Sequence, residues 1–454
     1  MAMESLLSSR AREDLEHLAT YVKNANAELE CKVLSGQIQT KDVADRIIKT
    51  IEVLASGPAV ETVHVTFSYP DNVRVVVKGA ENIHKVCTTN SFKGTPLMVE
   101  RKARYFGNDG QDVVDVPEAG LRFTLRKEDE VRRDFTGTPM DAKSHIRVIN
   151  RRSWKTQDGL LQIDFSMVKS KTKSTRSFSD VLRQNPAYEL EVEVLNRKAS
   201  AKDIVNSLLI HVERMLAAFQ GSSFLLPSSD VERYQAEFAS SRHKFVNPVT
   251  MKRRHLRADR PNNILTGYTV TNKADGQRCF LVVMRDKRVL MVRPNGVLTW
   301  TGITAVNPVH VNDVVDGEYI EDRNLFCIFD VYSFRGVDQT RLPLFTTDED
   351  IRANPLKSRL GCAHEFVSDL RRDFVMASGR PLRVETKLFL AGDGPAMEEA
   401  INTMLSTKFE YETDGLIFTP RSSPVAPLSD RKGNTWTTVY KWKPADQNSI
   451  DFLV

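Results

Sequence analysis

The spacing of apolar residues changes character along the chain. Residues 4 to 23 place Leu6, Leu7, Leu15, Leu18 and Val22 at mostly helical intervals, which predicts an N-terminal helix. From residue 28 to 195 the period shortens to two. Segments such as "TVHVTFSY", "NVRVVVKG", "LRFTLRK", "HIRVINRR", "LLQIDFSMV" and "YELEVEVL" are β-branched or aromatic and are separated by Gly, Pro, Asn and Asp, predicting an antiparallel sheet or barrel. The period then returns to that of a helix. Ser200 reads as an N-cap with Asp203 three residues on, Ile204, Leu208, Val212 and Met215 form one stripe, and Gly221 ends the element. After "SSFLLPSSD" the pattern is mixed, with helices predicted at 362–377 and 395–406 and strands at 267–272, 278–283, 315–320, 325–331 and 414–419.

At 454 residues the chain exceeds one average domain, so at least two are expected, with a boundary near residues 218–228 and domains at 1–220 and 221–454. The fold class predicted is α+β, an antiparallel barrel followed by a mixed α/β domain. A net charge of +5 permits an anionic partner without requiring one. Five scattered cysteines, with no zinc-type spacing, fit a reducing intracellular compartment. The N-terminus has no apolar run of signal-peptide length, and no membrane-spanning stretch is expected.

Candidate chemistry begins with "NKADGQR", where Lys273 ends one predicted strand and Asp275-Gly276 turns the chain toward the next. Alone, this reads equally well as a hairpin with a solvated lysine. Downstream, "VVDGEYI", "LFCIFDVY", "TDGLIFTP" and "VYKWKP" are each apolar strands interrupted by charge. Together with "KADG" they resemble, in order and spacing over about 260–454, the motifs of the covalent nucleotidyltransferases: mRNA guanylyltransferases and DNA and RNA ligases. The resemblance implies that Lys273 attacks the α-phosphate of a nucleoside triphosphate. Such a lysine must react neutral although its ordinary pKa is near 10.4, so Arg278, Lys441 and Lys443 are expected to supply a field against its charged form. By the same resemblance Asp275 and Gly276 shape the nucleotide-facing turn and Arg278 contacts the ribose. Glu318 serves the sugar or a metal shell, Phe329 stacks on the base beside Asp330, and Asp414 orients the metal or the lysine.

In the first half, "AELECKV" puts Glu28, Glu30 and Lys32 on one strand face, and "YELEVEVL" does the same with Glu189, Glu191 and Glu193. Rows of carboxylates are poor core, so a cation must compensate them. If both faces turn into one barrel they form an all-oxygen site suited to Mg²⁺ or Mn²⁺. If they turn outward they are an acidic surface opposite basic strands. Two E-x-E strands, Arg/Lys strands and "RRSW...QIDF" between them resemble the triphosphate tunnel metalloenzymes, in particular RNA 5′-triphosphatases, over about 25–200. This implies Glu28, Glu30, Glu191 and Glu193 as metal ligands, with Glu189 as a further candidate. It also implies Lys32, Arg74, Lys102, Arg122, Arg151 and Lys169 as triphosphate contacts, and Glu128 as a water-orienting carboxylate.

A triphosphate tunnel ahead of a lysine nucleotidyltransferase resembles the mRNA capping enzymes of large DNA viruses, including the poxvirus, asfarvirus and giant-virus groups, and "YKWKPADQNSIDFLV" resembles the giant-virus group most. The implied substrates are nascent 5′-triphosphate RNA and GTP, acting in host cytoplasm or virion. Members continue into an OB-fold and often a methyltransferase, so a longer protein, with a methyltransferase domain or subunit, is expected. Two other readings stay open: an ATP-dependent RNA or DNA ligase, and a catalytically silent RNA-binding scaffold.

Overall fold

The computed structural model describes residues 3, 6–24, 26–33, 38, 40–69, 71–105, 110–135, 145–171, 178–241, 243–260, 262–378, 382–426 and 430–445. The last nine residues of "YKWKPADQNSIDFLV" lie outside the described residues. The chain divides into two units, Met1–Asp230 and Val231–Val454.

In the first unit the alternating segments form strands β1 (Ala27–Val33), β2 (Val60–Ser68), β3 (Val73–Lys78), β4 (Met98–Arg104), β5 (Val113–Val116), β6 (Leu121–Glu130), β7 (His145–Lys155), β8 (Leu161–Ser170) and β9 (Ala187–Val194). They pair in the order β1-β9-β8-β7-β2-β3-β4-β6, and β6 pairs back on β1, closing an eight-stranded antiparallel barrel with β5 as a side strand on β6. Helices α1 (Ser9–Thr20), α2 (Lys41–Leu54), α3 (Ala80–Thr89) and α4 (Ala201–Gln220) lie on the outside. Leu29 and Cys31 of β1, Phe123 and Leu125 of β6, Ile163 and Phe165 of β8, and Leu190 and Val192 of β9 share one core with Leu15, Leu18, Ile47, Ile51, Leu208 and Val212 of the helices. The apolar strand faces therefore point outward, under the helices, and the alternate residues face the lumen. α4 follows its predicted signals: Ser200 caps it through the Asp203 N–H, and Gly221 ends it with a φ of 68°.

The second unit contains strands β10 (Asn247–Thr250), β11 (Tyr268–Ala274), β12 (Gln277–Val283), β13 (Arg288–Val292), β14 (Leu298–Ala305), β15 (Val314–Ile320), β16 (Leu325–Phe334), β17 (Val337–Asp338), β18 (Phe374–Met376), β19 (Arg383–Thr386), β20 (Leu390–Gly392), β21 (Thr413–Pro420), β22 (Arg431–Lys432) and β23 (Thr435–Trp442). One sheet runs β10-β23-β21-β11-β20 with β22 on β23. The other runs β17-β16-β15-β12-β13-β14-β18 with β19 on β16. Helix α5 (Arg359–Asp369) buries Cys362, Ala363 and Phe366 against the second sheet, and α6 (Pro395–Ser406) buries Met397, Ala400 and Met404 against the first. The helix predicted at 362–377 is shorter than its pattern: it ends at Asp369, and Phe374 enters the core from a strand paired with β14. Among the described residues no helix is long and apolar enough to cross a membrane.

Candidate active sites

The "KADG" turn does not close a hairpin. β11 pairs with β20 and β21, whereas β12 pairs with β13 and β15, so Asp275 and Gly276 carry the chain from one sheet to the other. Gly276 is required by closeness rather than by a left-handed backbone, because a Cβ there would stand 2.7 Å from the Tyr319 carbonyl oxygen and 2.8 Å from Glu318 Cγ. Asp275 is exposed, and its backbone N–H donates to the Glu412 carbonyl. The crossing leaves Lys273 in the wall of the space between the sheets.

That space is a cavity of 240 Å³ whose walls include Lys273, Arg278, Glu318, Phe329, Asp330 and Lys441. Lys273 Nζ donates to Asp414 Oδ1 (2.7 Å), and Lys443 Nζ lies 2.6 Å from Oδ2 of the same carboxylate. Burial works to raise the Asp414 pKa, but the hydrogen bonds and charges of the two lysines outweigh it and hold the carboxyl below its usual range. Gly415 permits this junction. At φ 145° it leaves room for the Trp442 carbonyl oxygen, which a Cβ would meet at 2.0 Å.

The cationic field expected of Arg278, Lys441 and Lys443 is largely neutralised. Arg278 makes a two-pronged pair with buried Asp316 (Nε–Oδ1 3.0 Å, Nη2–Oδ2 2.5 Å), and Lys443 is held by Asp414. Lys441 alone of the three has no ion-pair partner among the described residues. The Arg278 guanidinium also lies 5.4 Å from the Phe329 ring centroid, fixing that aromatic wall. Asp330 is engaged elsewhere, paired with the fully buried Arg359 (2.6 and 3.2 Å).

Two groups here escape sequence reading. Asp316 is one. The other is Lys387, buried in the cavity wall with Nζ donating to the Asn272 carbonyl at 2.6 Å. Burial lowers its pKa to about 8 against the opposing pull of Glu318, whose own carboxyl burial raises. A third constellation, His310 with Asp369 and Asp373, has metal-like spacing, but Arg335 and Arg372 already pair with Asp369.

In the barrel, register decides which predicted residues meet. Glu30 stands opposite Glu193 and Lys32 opposite Glu191 across β1 and β9. Lys102 Nζ reaches Glu28 (2.9 Å), Glu128 (3.0 Å) and Glu30 (3.3 Å). Arg151 joins Glu191 (2.9 Å) to the buried Asp164 (2.8 Å), a lumen carboxylate not singled out from sequence. Glu189 also faces inward and pairs with Arg147. Arg74 lies on the same face, 3.9 Å from Glu100. Arg122 stands at the barrel end, half exposed and paired with Asp115. Lys169 is a correction: it sits opposite Val148, shares the outward face, and donates to the Leu182 carbonyl.

The acid rows are strongly perturbed. Burial, reinforced by Glu193 and Glu128 and opposed by Lys102, raises Glu28 to about 8. Burial and Asp164 raise Glu193 to about 7. Glu191 goes the other way: burial is overcome by Lys32 and Arg151, which lower it to about 2. Carboxylates that hold protons near neutrality mark a donor set short of positive charge, which a hard divalent cation on Glu28, Glu30, Glu191 and Glu193 would supply.

Comparison with known proteins finds relatives of this chain. Residues 235–445 match the model of the mRNA capping enzyme catalytic domain. The probable mRNA-capping enzyme of Acanthamoeba polyphaga mimivirus is 24% identical over 314 residues, covering 59% of this chain and 26% of that protein. The mRNA-capping enzyme of African swine fever virus (strain Badajoz 1971 Vero-adapted) is 22% identical, covering 95% of this chain and 48% of its own length. This chain thus spans less than half of each of these two viral relatives. The solved mimivirus capping enzyme triphosphatase aligns with a TM-score of 0.36 and 16% identity, covering 46% of this chain and 99% of its own. Residues 235–445 are similar to the catalytic domain of mRNA capping enzymes, and the chain as a whole is similar to the capping enzymes of large DNA viruses.

Proposed function

We propose that the chain carries out the first two steps of mRNA cap synthesis, removal of the γ-phosphate from a 5′-triphosphate RNA by unit Met1–Asp230 and transfer of GMP from GTP by unit Val231–Val454. The observation that carries the reading is the Lys273–Asp414–Lys443 bridge, whose Lys273 lines a cavity together with Phe329 and Lys387. Asp414 accepts the proton that Lys273 must shed before it can act as a nucleophile. Lys273 Nζ then bonds to the α-phosphorus of GTP as the bond to pyrophosphate breaks, with Lys441 and Lys443 offsetting the charge that develops on the phosphate oxygens. The terminal oxygen of a 5′-diphosphate RNA next attacks the same phosphorus, the P–N bond breaks, and Lys273 recovers its proton. Phe329 supplies a face for the base to stack on.

In the barrel, Glu28, Glu30, Glu191 and Glu193 would hold Mg²⁺ or Mn²⁺, which polarises the terminal phosphoryl group when bound. Arg74, Arg147, Arg151 and Lys102 bind the triphosphate oxygens, and Glu128 orients the attacking water. The two steps fit together, because the 5′-diphosphate product of the first is the acceptor of the second.

The test is incubation with α-labelled GTP or ATP and divalent metal, followed by denaturing gels of wild type and Lys273→Ala. Label from GTP that vanishes in the variant is expected. Label from ATP alone assigns a ligase, and no label from either leaves the C-terminal reading without support. For the barrel, Glu30→Ala and Glu191→Ala should each abolish metal-dependent phosphate release from triphosphate-ended RNA.

A further inference from the structure

The segment between β10 and β11 carries Lys252, Arg253, Arg254, Arg257 and Arg260 against a single acid, Asp259. Its position is fixed by the strand that bears Lys441. β10 runs parallel to β23 with Thr250 opposite Lys441, and the Met251 N–H donates to the Lys441 carbonyl at 2.8 Å. Lys252 is the next residue, so the basic run starts one residue beyond the strand pair whose Lys441 lines the cavity.

The run is also anchored. In the short 3₁₀ turn Arg253–Leu256, His255 is buried, its ring stacked on Tyr440 at 4.1 Å between centroids. Its Nδ1 receives the Lys252 N–H, and its carbonyl accepts the Ile264 N–H at 2.9 Å. With His255 turned in, Lys252, Arg253 and Arg254 are left exposed. Arg257 is matched by Asp259 through two bonds of 3.0 and 2.9 Å. Among the described residues no carboxylate lies within ion-pair distance of Lys252, Arg253 or Arg254. Like charges held side by side on an ordered turn repel each other, and an anionic ligand relieves that repulsion.

We propose that Lys252, Arg253 and Arg254 form the surface that holds the backbone phosphates of the acceptor RNA as it leaves the cavity. The proposal rests on the guanylyltransferase reading above and adds the path of its second substrate. A strand whose 5′ end reaches Lys273 would leave past Lys441, and the turn that begins one residue after Met251, the backbone partner of Lys441, carries these three cations. The turn exposes no aromatic ring for base stacking, so the contacts are to phosphate and are independent of sequence, as an activity on every transcript requires.

The experiment compares the full chain with the variant K252Q/R253Q/R254Q, and with R253Q alone. Binding of a short single-stranded 5′-diphosphate RNA is followed by fluorescence anisotropy between about 50 and 200 mM salt. Removing three phosphate contacts should make the slope of log affinity against log salt shallower by about 2 and weaken binding on the order of a hundredfold at the lowest salt; R253Q should shift the slope by about 0.7. Labelling of Lys273 by GTP should stay unchanged. Equal affinity and slope in wild type and variant would overturn the proposal. So would a loss of GTP labelling alongside RNA binding, or an acidic peptide competing as well as RNA of equal charge. If wild type takes no label from GTP the catalytic reading fails, while the RNA comparison still decides this one.

Discussion

Lys273 and Asp414 are 141 residues apart in sequence, yet Nζ and Oδ1 meet at 2.7 Å across the β11–β21 pairing. The same carboxylate holds Lys443, so one acid is shared by two cations. In the reaction proposed above, this arrangement makes opposite demands on Asp414. As a counter-ion it stabilises the charged, unreactive lysine; as a proton acceptor and positioner it makes the reactive form.

Asp414→Asn separates these roles by the sign of its effect. If the counter-ion role governed, the substitution would speed adduct formation. The second role predicts that lysyl-GMP formation slows by about 10²- to 10⁴-fold, the range for loss of a positioned acid–base group. Single-turnover labelling with GTP measures it, and a rate equal to or above wild type would remove Asp414 from the proton path.

Gly415→Ala should damage the same junction through the backbone. A Cβ would meet the Trp442 carbonyl oxygen at 2.0 Å, and φ there is 145°. Strand β21 must then part from β23, at a cost of about 3 kcal/mol or more. Gly433→Ala is the control. Its φ is also positive, at 59°, but nothing lies within 4 Å of the added atom, so only about 1 kcal/mol of backbone strain is expected. Calorimetric melting of both variants should show the first markedly less stable than the second.

These sites show which parts of the structure the sequence discloses. The two E-x-E strands carry their own period, so their common face is readable without knowing the partner strands. For isolated basic residues the face must be counted from buried neighbours. Lys169 shares parity with Ile163 and Phe165, whose outward packing sends it away from the lumen; Asp164, between them, is sent in. That signal is present in "QIDF" but needs the knowledge that the apolar face points out, the reverse of an ordinary barrel core. Lys387 has no comparable signal. "RVETKLFLAG" shows no alternation, and the lysine is buried because β16 and β11 converge on it: its N–H bonds Ile328 and its Nζ bonds Asn272. Asp316 is covered by Arg278, which stands opposite Glu318 on the neighbouring strand and reaches Asp316 diagonally, a contact that depends on how the two strands are aligned.

His310 predicts a pH dependence in the C-terminal unit. Nδ1 is 2.8 Å from Asp313 and Nε2 is 3.2 Å from Asp373, so both ring nitrogens must carry protons to donate. Burial alone would lower its pKa, but the bonds to Asp313 and Asp373 and the charge of Asp369 raise it. A value raised on folding gives stability that is complete below the unfolded pKa of about 6.5 and is lost as pH rises through the folded value. Denaturation midpoints of wild type should therefore fall relative to His310→Gln as pH rises from about 6 to about 9. A difference between the two proteins that does not vary with pH would mean that His310 is not the titrating group.

Metal binding in the barrel should release protons. Burial and neighbouring acids raise Glu28 to about 8 and Glu193 to about 7, so without metal both hold protons over much of the neutral range. Unfolded glutamates titrate near 4.3. These two groups therefore favour the folded barrel most at low pH, and that contribution is lost as pH rises through about 7 to 8. A carboxylate must be ionised to ligate, so Mg²⁺ or Mn²⁺ bound here would displace these protons. Calorimetric titration with Mn²⁺ at pH 7 in two buffers of different ionisation heat should count about one to two protons released per ion bound, falling toward zero by about pH 9. Glu193→Gln should lower the count, and Lys169→Gln, on the outer face, should leave it unchanged. Binding without proton release at pH 7 would place the ion away from Glu28 and Glu193, and the metal role of the two glutamate strands would fall with it.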